Sequence, residues 1–248
     1  MKRHRPDAAM PGSDLEVVIL DYNGVIGRQP TPQMWERLAA LAGWPPEQTS
    51  DFENGFWARR EPYDAGELTT HSFWSGLLRG GLTAPPGSAL LDTLRQTDTD
   101  MWTHTDPAVV SVLRATHAAG TRLLLLSNAP HPLADALDRT PWCSTLMSKA
   151  LFSARLGINK PSPRAFEAAL AAAGSPRPEM TLFVDDRHDN CAAASQLGMQ
   201  ALHFDGDPNT LARRLPQPLP LAPPVAVFRD SQMPALAAAT AAPRPAAG

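Results

Sequence analysis

Glu16-Val17-Val18-Ile19-Leu20, followed by Asp21-Tyr22-Asn23-Gly24, is the stretch whose reading decides the fold. The apolar run is too short for a helix and lacks the alternation of a strand with one wet face. It therefore reads as a parallel strand buried on both sides. It breaks off into polar residues and a glycine, the composition of a strand leaving the sheet. Four further runs carry the same signature: Arg122 to Leu126, Ala150 to Phe152, Thr181 to Val184 and Ala201 to Phe204. Helical punctuation separates them. Asp106 can cap a helix with Pro107 in its first turn and Gly120 at its end, Ser162-Pro163 opens another that runs to Gly174, and Asn190 to Leu197 makes a third that stops at Gly198. Strands alternating with helices predict an α/β protein on a doubly wound parallel sheet.

One interval breaks the alternation. From Thr31 to about Thr105 there are helical periods and no convincing strand, which predicts an inserted helical subdomain. Phe52, Phe56, Trp57, Phe73, Trp74, Leu77 and Leu78 fall at helical spacing and are expected to fill the centre of a small bundle. Arg59 and Arg60 are candidate anion contacts, although two adjacent arginines on a helix more often form a solvated face. The predicted organisation is a disordered tail over 1–14, a core over 15–30 and 106–215, a helical insert over 31–105, and a disordered Pro/Ala-rich tail over 216–248.

Composition narrows the function classes. Of 248 residues, 43% are hydrophobic and 19% charged, which is enough apolar material to bury a large core. A net charge of −3 gives no electrostatic reason to expect nucleic acid or an anionic membrane as partner. No apolar run approaches the ~20 residues that cross a bilayer. Cys143 and Cys191 sit at no disulfide or zinc spacing, and the basic start lacks the apolar segment of a secretory signal, so a soluble cytoplasmic protein is expected.

In a doubly wound sheet, ligands bind at the rim formed by the strand C-terminal ends. The polar residues fall there: Asp21 and Asn23 after the first strand, Ser127 and Asn128 after the second, Asp185 and Asp186 after the fourth, and Lys160 just before a helix. Three carboxylates meeting at one place repel each other unless a cation neutralises them, and magnesium suits an all-oxygen ligand set. A lysine near a helix N-terminus makes a focus of positive potential for an anion. Together these groups describe a phosphoryl-binding pocket.

The residues resemble the haloacid dehalogenase superfamily of hydrolases, in the branch that includes phosphoglycolate-phosphatase-like enzymes. The likeness runs from about Glu16 to Phe204. It rests on Val17 to Val25, on Leu-Leu-Ser127-Asn128, on Lys160-Pro161 with Phe166, and on Phe183-Val-Asp185-Asp186 with Asn190 and Leu-Gly198-Met199. Phe56-Trp57, Tyr63-Asp-Ala-Gly66-Glu-Leu68 and Phe73-Trp74 look like that branch's helical cap. The resemblance implies that Asp21 is the nucleophile and forms an aspartyl phosphate. It implies that Ser127 and Lys160 hold the phosphoryl group, that Asn128 fixes the loop beside it, and that Asp185, Asp186, Asp21 and the carbonyl of Asn23 serve Mg2+. A cap that closes over the rim and expels water favours a small phosphorylated metabolite as substrate.

Position 23 departs from the family. Most of its phosphatases carry an aspartate there, which protonates the leaving oxygen and then activates water. Asn23 can do neither. Three readings follow: a slow or specialised phosphatase in which a group such as His131 or His188 substitutes, a dehalogenase-like hydrolase acting at carbon, or an idle module binding a phospho-ligand or partner protein. The retained acids and Lys160 favour the first.

Overall fold

A computed structural model describes residues 15–81, 84–85 and 87–218. The tail over 1–14 and nearly all of that over 216–248 lie outside the described residues.

Five strands, β1 (Val17–Leu20), β2 (Arg122–Ser127), β3 (Met147–Phe152), β4 (Thr181–Asp185) and β5 (Gln200–His203), form one parallel sheet in the order β3-β2-β1-β4-β5. The central strand β1 pairs with β2 on one side and β4 on the other, so Val17 lies opposite both Arg122 and Thr181. All four of its residues are fully buried, which explains a strand apolar without alternation.

Successive side chains go to opposite faces. Val18, Leu20, Leu125 and Val184 pack in one layer with α5 (Pro107–Ala118), α6 (His131–Asp138), α7 (Pro141–Leu146) and α11 (Pro208–Arg214). Val17, Ile19, Leu124, Leu126 and Phe183 pack in the other with α9 (Pro163–Ala172) and α10 (His188–Gln196). The sheet is doubly wound.

Several boundaries move. β3 begins at Met147 rather than Ala150, because an edge strand tolerates the exposed Ser148 and Lys149, and Ser148 Oγ donates to the Leu123 carbonyl. The last strand ends at His203, and α10 starts two residues before Asn190. Asp106 caps α5, accepting from the amides of Ala108 at 2.8 Å and Val109 at 3.3 Å, with Pro107 in the first turn. Ser162 makes no side-chain capping bond to α9. The short α6, α7, α11 and α8 (Ser153–Leu156) have no counterpart in the pattern read from the sequence.

Between β1 and α5 lie α1 (Pro32–Leu41), α2 (Thr49–Asp64), α3 (Thr70–Ser75) and α4 (Ala89–Trp102). The chain leaves and re-enters the core side by side. Gly27 pairs antiparallel with Thr105, the Arg28 amide donates to the His104 carbonyl, and the Asp106 amide to that of Ile26. Phe52, Phe56, Phe73 and Trp74 are fully buried in the helical subdomain. Trp57 is the exception to the core expected there: it is 49% exposed, because it lies on the side of α2 away from Phe52 and Phe73. Arg60 departs in the other direction and is buried against Asp64 and Asp98, not solvated. Arg59 is half-buried and donates to the Ser72 carbonyl. No helix among the described residues is long and apolar enough to cross a membrane.

Candidate active site

The C-terminal ends of β1 and β4 deliver Asp21 and Asp185 side by side because the two strands pair in register. Asp186 follows one residue on. Each of the three offers a carboxylate oxygen, and these oxygens lie within 4.8 Å of one another. Lys160, on the turn before α9, puts its buried ammonium 2.7 Å from Asp21 Oδ1 and 2.7 Å from Asp185 Oδ2. Asn128 holds that lysine in place through its backbone: Nδ2 donates to the Lys160 carbonyl at 2.9 Å, and Oδ1 accepts from the Lys160 amide at 2.8 Å.

The acids are not equivalent. Asp185 is fully buried and all its capacity is used, Oδ1 accepting from the Arg187 amide and Asn190 Nδ2, Oδ2 from Lys160 and Asn190 Nδ2. Asp21 and Asp186 instead line a cavity of about 280 Å³, together with Asn23, Asn128, Lys160 and Asn190. Burial raises the Asp21 carboxyl to about 7, Lys160 opposing and Asp185 adding to the shift. Asp186 is raised too, by burial and then by Asp185. Burial alone would lower Lys160, but the two carboxylates it bridges outweigh that and hold it above its usual value.

Three carboxylates against one ammonium leave an excess of negative charge in a largely buried cluster, and a divalent cation would offset it. The donor set, all hard oxygens, suits magnesium. Three side-chain atoms nearby, Asn23 Oδ1, Ser127 Oγ and Asn190 Oδ1, are buried without a hydrogen-bond partner among the described residues. Such atoms cost ~1–3 kcal/mol each when unsatisfied, which is the pattern of a site built around a ligand. The residues present thus fit a metal with a phosphoryl group.

Gly24 makes the approach possible. Its φ is +79°, and a Cβ there would stand 2.0 Å from Asp186 Oδ2. Only glycine leaves room for the loop after β1 to run against that acid.

The helical subdomain supplies the opposite wall with Trp57, Asp64 and Trp102, and Gln29 and Arg187 complete it. The indoles of Trp57 and Trp102 meet edge to face at 5.8 Å. Asp64 and Arg60 are joined at 2.8 Å, and Arg60 reaches Asp98 at 3.4 Å. The sequence reading missed all five wall residues as parts of the site. An i, i+4 arginine–aspartate pair was the only available signal, and that spacing is commonplace on helix surfaces. Neither His131 nor His188 lines the cavity. His131 is exposed at the start of α6, and His188 is stacked on His203 at 3.7 Å.

Comparison with known proteins bears on the fold and the family. A sesquiterpene phosphatase of Aspergillus oryzae, astK, is 29% identical over 144 residues, which is 58% of this chain and 71% of that protein. Among solved structures, the enzyme bt-2542 of Bacteroides thetaiotaomicron, a haloacid dehalogenase family enzyme crystallised with magnesium and inorganic phosphate, superposes with a TM-score of 0.59 at 17% identity, covering 76% of this chain and 93% of its own. The L-2-haloacid dehalogenase RSc1362 gives 0.59 at 20% identity, covering 76% and 86%. At those identities the two structures speak for the fold. The family model for haloacid dehalogenase-like hydrolases matches residues 15–198, which takes in β1, the whole helical insert and every residue of the carboxylate–lysine cluster, and the chain belongs to that family.

Proposed function

We propose that the protein is a magnesium-dependent phosphatase of a small phosphorylated metabolite, acting through an aspartyl phosphate on Asp21. The observation that carries this reading is the Lys160 ammonium bridging Asp21 and Asp185 beside Asp186. A reaction at phosphorus needs positive charge around a dianionic group, and this cluster both holds a lysine there and demands a second cation.

Asp21, Asp186 and the backbone carbonyl of Asn23 would hold the ion, while Asp185, with both oxygens engaged, would orient Lys160. When bound, magnesium supplies a fixed charge for the phosphoryl oxygens. Lys160 and the partnerless hydroxyl of Ser127 would bind those oxygens as charge spreads over them. An Asp21 oxygen attacks phosphorus, the ester oxygen departs, and water then cleaves the new acyl phosphate and restores Asp21. The wall of Trp57 and Trp102 suits an alcohol portion with an apolar or unsaturated face, in keeping with a phosphatase of a sesquiterpene among the relatives.

A dehalogenase-like attack at carbon has no use for a divalent ion, so the three-carboxylate cluster argues against that reading. The test is hydrolysis of 4-nitrophenyl phosphate with and without Mg2+. Turnover is expected that requires both the metal and Asp21, and is lost in Asp21→Asn. Halide release from a 2-haloacid without metal would replace the proposal with the carbon-centred reading, and neither activity would leave a binding module.

A further inference from the structure

Asn23 leaves the leaving-group oxygen without a proton donor at the usual position, while its own Oδ1 is buried and partnerless on the cavity wall. Five ionisable residues line that cavity: Asp21, Asp64, Lys160, Asp186 and Arg187. Asp21 is committed to attack and Asp186 to the cation cluster. Lys160 is locked between two carboxylates, and an arginine does not give up its proton. Asp64, on the helical cap, is what remains.

The geometry points to Asp64 as the catalytic general acid and base of this enzyme, supplied by the cap in place of the residue missing at position 23. This rests on the phosphatase reading above.

The placement of Asp64 is fixed by the core as well as by the cap. Its carbonyl accepts from Ser153 Oγ, and Ser153 Oγ in turn accepts from the Ala129 amide at 2.9 Å, two residues after Ser127. Gly66, two residues on, comes so close to the core that a Cβ would lie 2.7 Å from the Ala154 carbonyl. Asn159, beside Lys160, donates to the Glu61 carbonyl at 2.8 Å. The C-terminal end of α2 is therefore tied to the same two loops that carry Ser127 and Lys160.

The chemistry of the side chain also fits. Among the described residues the carboxylate accepts one hydrogen bond, at Oδ1 from Arg60 Nε. The same guanidinium serves Asp98, which also accepts from Trp102 Nε1 at 3.0 Å. Two buried carboxylates sharing one cation leave a place for a proton, and Asp64 is the member that reaches the cavity. Burial pushes it up to about 6, with Arg60 opposing, close to where an acid–base group works best at neutral pH.

In the first step Asp21 bonds to phosphorus as the bond to the ester oxygen breaks, and the Asp64 proton passes to that oxygen, directly or through one water, releasing the alcohol. In the second, water attacks phosphorus and gives its proton to the Asp64 carboxylate. The bond to Asp21 breaks, and phosphate, Asp21 carboxylate and protonated Asp64 result.

The test compares phenyl phosphate, whose leaving group needs a proton, with 4-nitrophenyl phosphate, whose leaving group hardly does. In the wild type, kcat/KM for the two should agree within about 10-fold. Asp64→Asn should lower kcat/KM for phenyl phosphate by ~10²-fold or more, and for 4-nitrophenyl phosphate by less than about 10-fold. Asn23→Asp in the Asp64→Asn background should restore the phenyl ester. Equal losses on both esters, no loss, or no rescue would overturn the assignment while leaving the phosphatase reading in place. A wild type that strongly prefers the nitrophenyl ester would overturn it even if the variant fails to fold. A wild type inert on both esters removes the phosphatase reading and this one with it.

Discussion

Gly24 shows how much one residue decides. With φ at +79° any side chain is strained, and here the added carbon would also collide with Asp186. The left-handed conformation alone costs ~1–2 kcal/mol for a residue with a Cβ, so Gly24→Ala should lower the melting temperature by roughly 2–8 °C in a protein of this size. The sharper effect is expected at the cation. Asp186 must move to admit the methyl group, so Mg2+ affinity measured by titration calorimetry should fall while Lys160 stays bound to Asp21 and Asp185. Unchanged magnesium binding in a folded Gly24→Ala protein would show that Asp186 is not a ligand. Asn128 acts at the same scale by a different device, holding the lysine through both backbone atoms and not touching its ammonium.

Among the elements, α2 carries most of what the sequence concealed. Strand β1 was legible because every residue from Val17 to Leu20 is apolar, a pattern only burial on both faces produces. The rim acids and Lys160 were legible because they follow such strands or precede a proline-started helix. α2 offers no such contrast. Phe52, Phe56 and Tyr63 mark its buried face, yet Arg60 and Asp64 lie on that face too, and besides their own pairing it is Asp98 and Trp102 from α4, 34 to 42 residues away, that make their burial tolerable. No local pattern announces a partner that distant. Trp57 misleads in the opposite sense, as an indole in an aromatic run that turns out to face the cavity. It is 49% exposed and touches the buried Trp35, Phe56 and Trp102 with only part of its ring, so Trp57→Ala should fold. An aromatic contact is worth ~0.5–1.5 kcal/mol, so KM for aryl phosphates should rise roughly 2- to 10-fold with kcat retained and inhibition by inorganic phosphate unchanged. An unaltered KM would remove Trp57 from the substrate wall.

Across the whole molecule, buried acids set the response to pH. Asp21 and Asp64 are raised from 3.8 to about 7 and about 6, both chiefly by burial, and burial also raises Asp98 and Asp186. For each, the folded state binds its proton more tightly than the unfolded chain. The resulting stabilisation is complete below the unfolded value near 3.8 and is lost as pH rises through the folded value. Exposed acids with lowered values, Asp106, Asp189 and Asp205, act in the opposite sense, but only as pH falls below 3.8. The metal-free protein should therefore melt at a higher temperature at pH 5.5 than at pH 8. Magnesium held by Asp21 and Asp186 would favour their ionised forms and should remove their part of this slope. Asp64→Asn should remove another part, on the order of 1 kcal/mol between pH 5.5 and 8, since the larger share of the effect of such a shift falls between pH 3.8 and 5.5. A metal-free melting temperature that rises with pH over this range would mean that these carboxylates are ionised in the fold, and that Arg60 and Lys160 neutralise them more fully than burial opposes.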